Sequence, residues 1–463
     1  MYYILNENVG LRSYKRVPFC IVIKGVRNPI AVSISDYFLM SKCDGLNDIE
    51  DNDDVKHLEY KGLIKRCNEG EFKLSPWQNL DCDNYVFPAA IIEITSICNY
   101  NCKHCFNAVD NNPLHDSFSK EEMIDLLDQL SKAGVNAITL TGGEPMLHKD
   151  FFDIVFEIHK RGMFLEELNT NGYFISKGAL AKLKIIRSNP LIKISFDGLG
   201  HHNWMRGNEE AQDKTINAIK LCVENGFRVK VQTNVWKGNL DTLLETAEYL
   251  DSIGVSEMRI IRTTDVPRWL ENGYGETLNS KEYYDAMLEF VKGYKSKNHK
   301  MRIDIWQFLR FNPNSKSYKI MPIIHDEGTY RDSYPRCQGC RGMIAIGANG
   351  NVYPCLQESG VYDYEKVYLG NVKKDKLHDL LNDSNYFKDI STTVGELKQS
   401  NEKCGNCKYF RYCTGGCPAL AFNEFRQMLR EDSWKCYFFE NKYYKKIDYI
   451  FKDCISESKM NID

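Results

Sequence analysis

The chain has 463 residues, 43% of them hydrophobic and 27% charged, with 60 Lys+Arg against 63 Asp+Glu for a formal charge of −3. That balance is ordinary for a soluble globular protein of two to four domains. It leaves no basic surplus for gripping phosphate backbones, so nucleic acid is not an expected partner.

The first residues, "MYYILNENVGLRSYKRVPF", do not read as a signal peptide, and no apolar run reaches the ~18 residues of a membrane span. A cytoplasmic protein without membrane contact is expected. In that reducing compartment, 17 cysteines point to metal or redox chemistry rather than disulfides.

Residues 1–83 read as a separate small unit. "FCIVIKG" and "NPIAVSI" have the look of short strands. "SDYFLMSKCDGLNDIE" reads as a helix, and "DDVKHLEYKGLIKRCNEGEFKL" as a helix leading into a turn and strand. The pattern is winged-helix-like, but an acidic tract (Asp48, Glu50, Asp51, Asp53, Asp54) makes it a poor reader of DNA.

Over residues 88–299, six strand-like runs ("AAIIEITSI", "AITLTGG", "FLEELNTNG", "LIKISFDG", "RVKVQTNV", "EMRIIRTT") alternate with helical stretches. Such alternation predicts parallel strands with right-handed crossovers, and six units predict a partial (β/α)6 barrel in an α/β fold. Function is expected at the C-terminal strand ends. Residues 300–335, with Pro313 and Pro322, lack clear periodicity and read as a bridging segment. Residues 336–440 are rich in glycine and cysteine, a texture that needs metal staples. Residues 441–463 read as a closing amphipathic helix.

Eleven cysteines fall into three groups: 98/102/105, 337/340/355 and 404/407/413/417/436. The remaining six read as small buried hydrophobes. In "EITSICNYNCKHCFNA" three thiolates follow the first strand and leave one metal valence open. A zinc site completed by His104 or a distant histidine is the alternative. Placement at a strand end, with Tyr100 and Phe106 as an apolar wall, favours an open iron–sulfur cluster.

Cys98-x3-Cys102-x2-Cys105 after the first strand of a partial barrel resembles the radical S-adenosylmethionine (SAM) superfamily. The resemblance implies a [4Fe–4S] cluster on these thiolates, whose open iron binds the amino and carboxylate groups of S-adenosylmethionine. Reduction then yields a 5′-deoxyadenosyl radical that abstracts hydrogen. Other strand ends carry the likeness further: "TGGEP" with Gly142, Gly143, Glu144 and Pro145, Glu144 offering its carboxylate to an ammonium, and "NTNG" with Thr170 and Asn171. "SFDG" adds Ser195 and Asp197, and "QTNV" adds Gln232 and Asn234. Arg206 is expected to meet the cofactor carboxylate, and His104 is grouped with these contacts.

Cys340-x9-Gly350-x4-Cys355, then Cys404-x2-Cys407-x5-Cys413-x3-Cys417, then Cys436 resembles the SPASM extension. That family implies two auxiliary [4Fe–4S] clusters, one on Cys337, Cys340, Cys355 and Cys417, the other on Cys404, Cys407, Cys413 and Cys436. Three clusters in all are then expected. If Cys337 falls short, the first auxiliary cluster keeps an open iron for a substrate thiolate; a pair of zinc ribbons is the competing reading.

The N-terminal unit resembles the recognition element of ribosomal-peptide (RiPP) maturases, which captures a leader peptide as an added strand. A dimerisation or structural cap is the plain alternative. The resemblance implies a peptide maturase of the sactipeptide or ranthipeptide type, installing thioether crosslinks and fed by an external one-electron reductant of flavodoxin or ferredoxin type. Carbon–carbon or ether crosslinking stays open. So does anaerobic sulfatase maturation to formylglycine, although Leu356 stands where those enzymes carry an Asp, leaving Glu358 as a substitute base. A non-catalytic electron-transfer protein is the remaining reading.

Overall fold

The computed structural model describes residues 1–106, 116–321 and 330–458. At the N-terminus, strand Tyr2–Leu5 pairs antiparallel with Asp44–Asp48 on one side and Ile64–Cys67 on the other. Helices Ile34–Ser41 and Asp53–Tyr60 begin where Ser33 and Asn52 side chains accept the N–H groups of Asp36 and Val55. Met40, Val55 and Leu58 then close on Tyr3, Leu5 and Ile64 in a small core of their own. The helix expected across "SDYFLMSKCDGLNDIE" stops at Ser41, and Asp44–Asp48 is a strand. Pairing with Tyr2–Leu5 satisfies that backbone and overrides the weak local period.

A second sheet runs in the order Ile30–Ala31, Val17–Ile23, Val9–Tyr14, Asn79–Cys82. Behind it Trp77 lies over Gly162, just past the helix Phe151–Lys160. A Cβ on Gly162 would come 2.1 Å from Trp77 Cδ2, so only glycine lets the indole seat there.

The six runs expected as barrel strands form Ala89–Glu93, Ala137–Thr141, Phe164–Thr170, Leu191–Ser195, Val229–Val235 and Glu257–Arg262. They pair in chain order and all parallel. Period-two alternation decides the two faces. Ile138, Leu140, Leu168, Ile192, Ile194, Val229, Val231, Met258 and Ile260 join the main core under the helices. The alternate positions carry charge instead, with Lys193 bonded to Glu167 at 2.8 Å and Lys230 3.8 Å from Asp304.

Extra strands flank the barrel. Arg302–Ile305 continues the sheet in parallel, followed by antiparallel Leu309–Asn312 and Ser317–Ile320. On the opposite flank Met343–Ile346 pairs parallel with the first barrel strand. The result is one 12-stranded sheet whose outermost strands do not pair with each other, so the barrel is partly open. The stretch 300–335, expected as an aperiodic bridge, thus holds three strands of four residues, too short to show a period. Pro322 lies outside the described residues.

The tail breaks into helices Ser433–Glu440 and Tyr443–Ile450 at Lys442, whose φ of +54° is left-handed. A short strand, Ile455–Ser456, then pairs with Ser317–Ile320. Residues 84–88, which lead from the N-terminal unit into the barrel, are held from the far end of the chain. Arg341 stacks 5.2 Å from the Tyr85 ring, 4.7 Å from Phe87 and 5.1 Å from Phe387. Tyr85 also stacks on Phe387 at 5.0 Å, and the Asn382 amide donates to the Asp83 carbonyl at 2.9 Å. No helix among the described residues is long and apolar enough to cross a membrane.

Candidate active site

Where the first barrel strand ends, the chain runs through Thr95, Ser96 and Ile97 into Cys98. The second-strand loop seats directly on this segment. Gly143 N–H donates to the Thr95 carbonyl at 2.8 Å and Glu144 N–H to the Ile97 carbonyl at 2.9 Å. A Cβ on Gly142, whose φ is +145°, would sit 2.1 Å from the Thr95 oxygen, and one on Gly143 would sit 2.4 Å from the Ser96 and Ile97 oxygens. The two glycines therefore set the path of the cysteine loop.

Glu144 is fully buried. Its carboxylate accepts the Thr170 hydroxyl and the Asn171 N–H, each at 2.8 Å, and the Met146 N–H at 3.2 Å. Burial outweighs these donors and pushes its pKa up to about 7. Glu144, expected to face an ammonium, thereby ties the second strand end to the third. Pro145, also buried, opens the short turn that follows. Asn171 in turn donates to Asn99 Oδ1 at 2.9 Å, with the same nitrogen 3.9 Å from Cys98 Sγ.

At the fourth strand end Asp197 is the hub. It is fully buried, and its Oδ2 lies 2.7 Å from Arg206 Nε. Its other oxygen accepts the Asn234 N–H at 3.1 Å. Burial alone would raise its pKa, but the Arg206 guanidinium holds the carboxyl well below the usual carboxylate range. Arg206 reaches onward, Nη1 3.6 Å from Cys102 Sγ, so the arginine expected at a cofactor carboxylate already links Asp197 to the triplet.

His104 Nε2 is 2.7 Å from the Asn234 amide, and burial followed by Arg206 lowers its pKa to about 3, leaving a neutral ring. Ser195 is half-buried beside these groups, in register with Gln232 of the fifth strand.

The triplet loop is also bonded to the helix His202–Arg206, Asn101 N–H to the Arg206 carbonyl and Lys103 N–H to the Met205 carbonyl. Sequence reading missed the aromatic wall beside it. Trp204 and Trp236 stack at 5.6 Å, Trp269 stands edge-on to both, and Lys103 lies 5.0 Å from the Trp204 ring. The available signal was a tryptophan in the segment after each of the last three barrel strands.

Three buried polar atoms around the triplet, Arg206 Nη2, His104 Nδ1 and Asn99 Nδ2, have no hydrogen-bond partner among the described residues. Orphans of this kind suit a polar guest. Thiols, cation and unpaired donors together fit a cluster carrying a cofactor with a carboxylate group.

The other cysteines gather as two sets. Cys337 Sγ accepts the Cys340 N–H at 3.4 Å, and the Cys340 thiol is within hydrogen-bonding reach of both Cys337 and Cys355. The Cys340 thiol pulls the Cys337 pKa down to about 6, and buried Cys417 feels the charges of Cys337 and Cys355. Cys337 thus stands with the group it was expected to complete. In the second set burial and Cys436 push the Cys404 thiol up to about 12, with Cys407 a further neighbour. Burial and Cys436 raise Cys413 as well. Among the described residues no group of three or more His, Cys, Asp or Glu side chains has the geometry of a single-ion site.

Glu358 lies against the first set, fully buried, its two carboxyl oxygens without a hydrogen-bond partner among the described residues. Burial and then the Cys355 charge raise its pKa well above the ordinary carboxyl value.

A family model described as the Radical SAM superfamily matches residues 92–250, and SPASM, the iron-sulfur cluster-binding domain, matches residues 337–408. The chain is 24% identical over 340 residues to the AdoMet-dependent heme synthase of Nitratidesulfovibrio vulgaris, covering 72% of this chain and 87% of that protein. It is 25% identical over 306 residues to the sporulation killing factor maturation protein SkfB of Bacillus subtilis, covering 64% and 65%. Among solved structures, Streptococcus suis SuiB bound to precursor peptide SuiA superposes with a TM-score of 0.65 at 15% identity, covering 93% of this chain and 98% of SuiB.

Proposed function

The chain carries a radical SAM domain and a SPASM domain and is an enzyme, and from that premise we propose that it matures a ribosomally made peptide by installing thioether links between a cysteine sulfur and a carbon. The observation that supports a peptide substrate is the likeness in fold to SuiB. At 93% of this chain it leaves out too few residues to omit the N-terminal unit, and the matched structure holds a precursor peptide. In this reading the unit at residues 1–83 takes the leader by strand addition, and the aromatic wall at Trp204 borders the peptide's path to the barrel.

Cys98, Cys102 and Cys105 would hold a [4Fe–4S] cluster, and the two further sets one each, for three in all. When bound, cluster and S-adenosylmethionine together supply a hydrogen-abstracting radical after one-electron reduction by a flavodoxin- or ferredoxin-type donor. The chain's own work is to position. Asp197 fixes Arg206 beside Cys102, Glu144 locks the second and third strand ends, and neutral His104 with Asn234 presents uncharged donors. Each link removes two hydrogens from the peptide, the carbon's as an atom and the thiol's as a proton, and the one electron left over would pass to an auxiliary centre.

The test is anaerobic co-expression with a small cysteine-containing precursor, followed by tandem mass spectrometry. Loss of two hydrogens per link with cysteines that no longer alkylate is the expected result. The same loss with every thiol still reactive would replace thioether formation with carbon–carbon or ether crosslinking.

A further inference from the structure

Cys413 belongs to one auxiliary set and Cys417 to the other, and only Thr414, Gly415 and Gly416 separate them. All three intervening residues are left-handed, at φ +48°, +82° and +72°. Their tight path lets two buried cations close on the turn. A Cβ on Gly415 would stand 3.4 Å from Arg336 Nη2, and one on Gly416 would stand 2.8 Å from Lys435 Cγ and 2.4 Å from Asp432 Cβ. Arg336 is 2% exposed and Lys435 0%.

Neither cation has a carboxylate within ion-pair distance among the described residues. Arg336 donates to the carbonyl oxygens of Met428, Gly415 and Arg430, and Lys435 Nζ reaches the Met321 carbonyl at 3.4 Å. The carboxylate in this seam, Asp432, accepts the N–H groups of Cys417 at 3.1 Å and Trp434 at 3.0 Å. Arg336 and Lys435, with Arg262 beside them, therefore share the carboxylate of Asp432. A buried cation is costly unless something anionic neighbours it, and besides Asp432 the charges that face Arg336 are Cys417, Cys404 and Cys413, and those that face Lys435 are Cys413 and Cys417.

We propose that Arg336 and Lys435 are positioning charges that ease one-electron reduction of both auxiliary centres at once, from either side of the turn joining Cys413 to Cys417. An added electron makes a thiolate-bound centre more negative, and a cation in a low-dielectric seam stabilises that state. This rests on the reading that both sets hold clusters.

The experiment is a dithionite redox titration of the anaerobically reconstituted full-length protein, followed by electron paramagnetic resonance, with iron counted beforehand. Lys435→Met with unchanged iron is expected to lower the reduced-to-oxidised ratio of both auxiliary signals about tenfold at fixed potential, about 59 mV for one electron. Lys435→Arg is expected to restore it. Unmoved potentials with both signals present would overturn the proposal. If Lys435→Met loses iron, Lys435→Gln takes its place, and iron loss in all three variants would overturn the proposal by showing that lysine's shape matters rather than its charge. Wild-type protein that takes up no auxiliary iron would instead sink the cluster reading itself.

Discussion

Replacing Asp197 by Asn keeps the shape of the hub and removes its charge. The Asn234 N–H still finds an acceptor, while the Arg206 guanidinium, 7% exposed and 2.7 Å away, is left without its counter-ion. Breaking one side of a buried pair costs about 3–5 kcal/mol, because the other charge stays behind desolvated. Arg206→Met should cost a similar amount for the mirror-image reason. The double variant leaves neither charge stranded, so its cost should fall short of the sum by about 2–3 kcal/mol. Urea midpoints of the four iron-loaded proteins in one anaerobic buffer give the cycle. Single costs below about 1 kcal/mol, or a strictly additive double, would refute the view that Asp197 and Arg206 act as one unit. Because Arg206 also reaches Cys102, Asp197→Asn should slow S-adenosylmethionine cleavage without loss of iron.

Gly143→Ala drives a methyl group into the Ser96 and Ile97 carbonyl oxygens; a loss of about 3 kcal/mol or more is expected, seen as a lowered melting temperature, and an unchanged melt would show that the loop yields. Replacing Cys98, Cys102 and Cys105 together with Ala should remove one third of the bound iron and abolish 5′-deoxyadenosine release; release that survives would sink the assignment of the triplet. His159 gives a pH signature, since burial and then Lys24 hold its pKa near about 4 against an ordinary 6.5. The unfolded chain protonates first as pH falls, so its contribution is intact above about pH 6.5 and lost between there and about pH 4. Wild type should lose about 2 kcal/mol more than His159→Gln on going from pH 7.5 to pH 5 in urea titrations, and parallel losses would discount the site. Trp77→Ala empties the seat over Gly162 and should cost about 3–5 kcal/mol, read as earlier proteolysis of the N-terminal unit; unaltered proteolysis would show that other contacts hold that unit.

The six barrel strands were legible because apolar residues such as Ile192 and Ile194 recur on one face while Lys193 marks the other. The cysteine sets were legible because ligand spacing is local. Cys337, the one cysteine whose reach sequence spacing left open, turns out to stand beside Cys340 and Cys355. What stayed hidden depends on distant partners. The bonds that Glu144 accepts from Thr170 and Asn171 come from a different strand end. Nothing in "TGGEP" says that Gly142 and Gly143 seat against Thr95, Ser96 and Ile97. The strand Met343–Ile346 carries nothing in its four residues to say that it pairs with Ala89–Glu93. Arg336 and Lys435 belong to no motif, and their meaning comes only from the Cys413–Cys417 turn between them.

Arg341, Asn382 and Phe387 clamp residues 83–87 from the other end of the chain, and this bears on the order in which the protein is made. The contact between Asn382 and Asp83 spans 299 positions. At ~5–20 residues per second, roughly 15–60 s of synthesis separate the two. The N-terminal unit, with a core of its own, is complete early in translation and can seat on the barrel once residues 134–166 are made, through Tyr14 on Gly134, Arg27 on Glu166 and Trp77 over Gly162, whereas the linker at 83–87 gains its clamp only when residue 387 emerges.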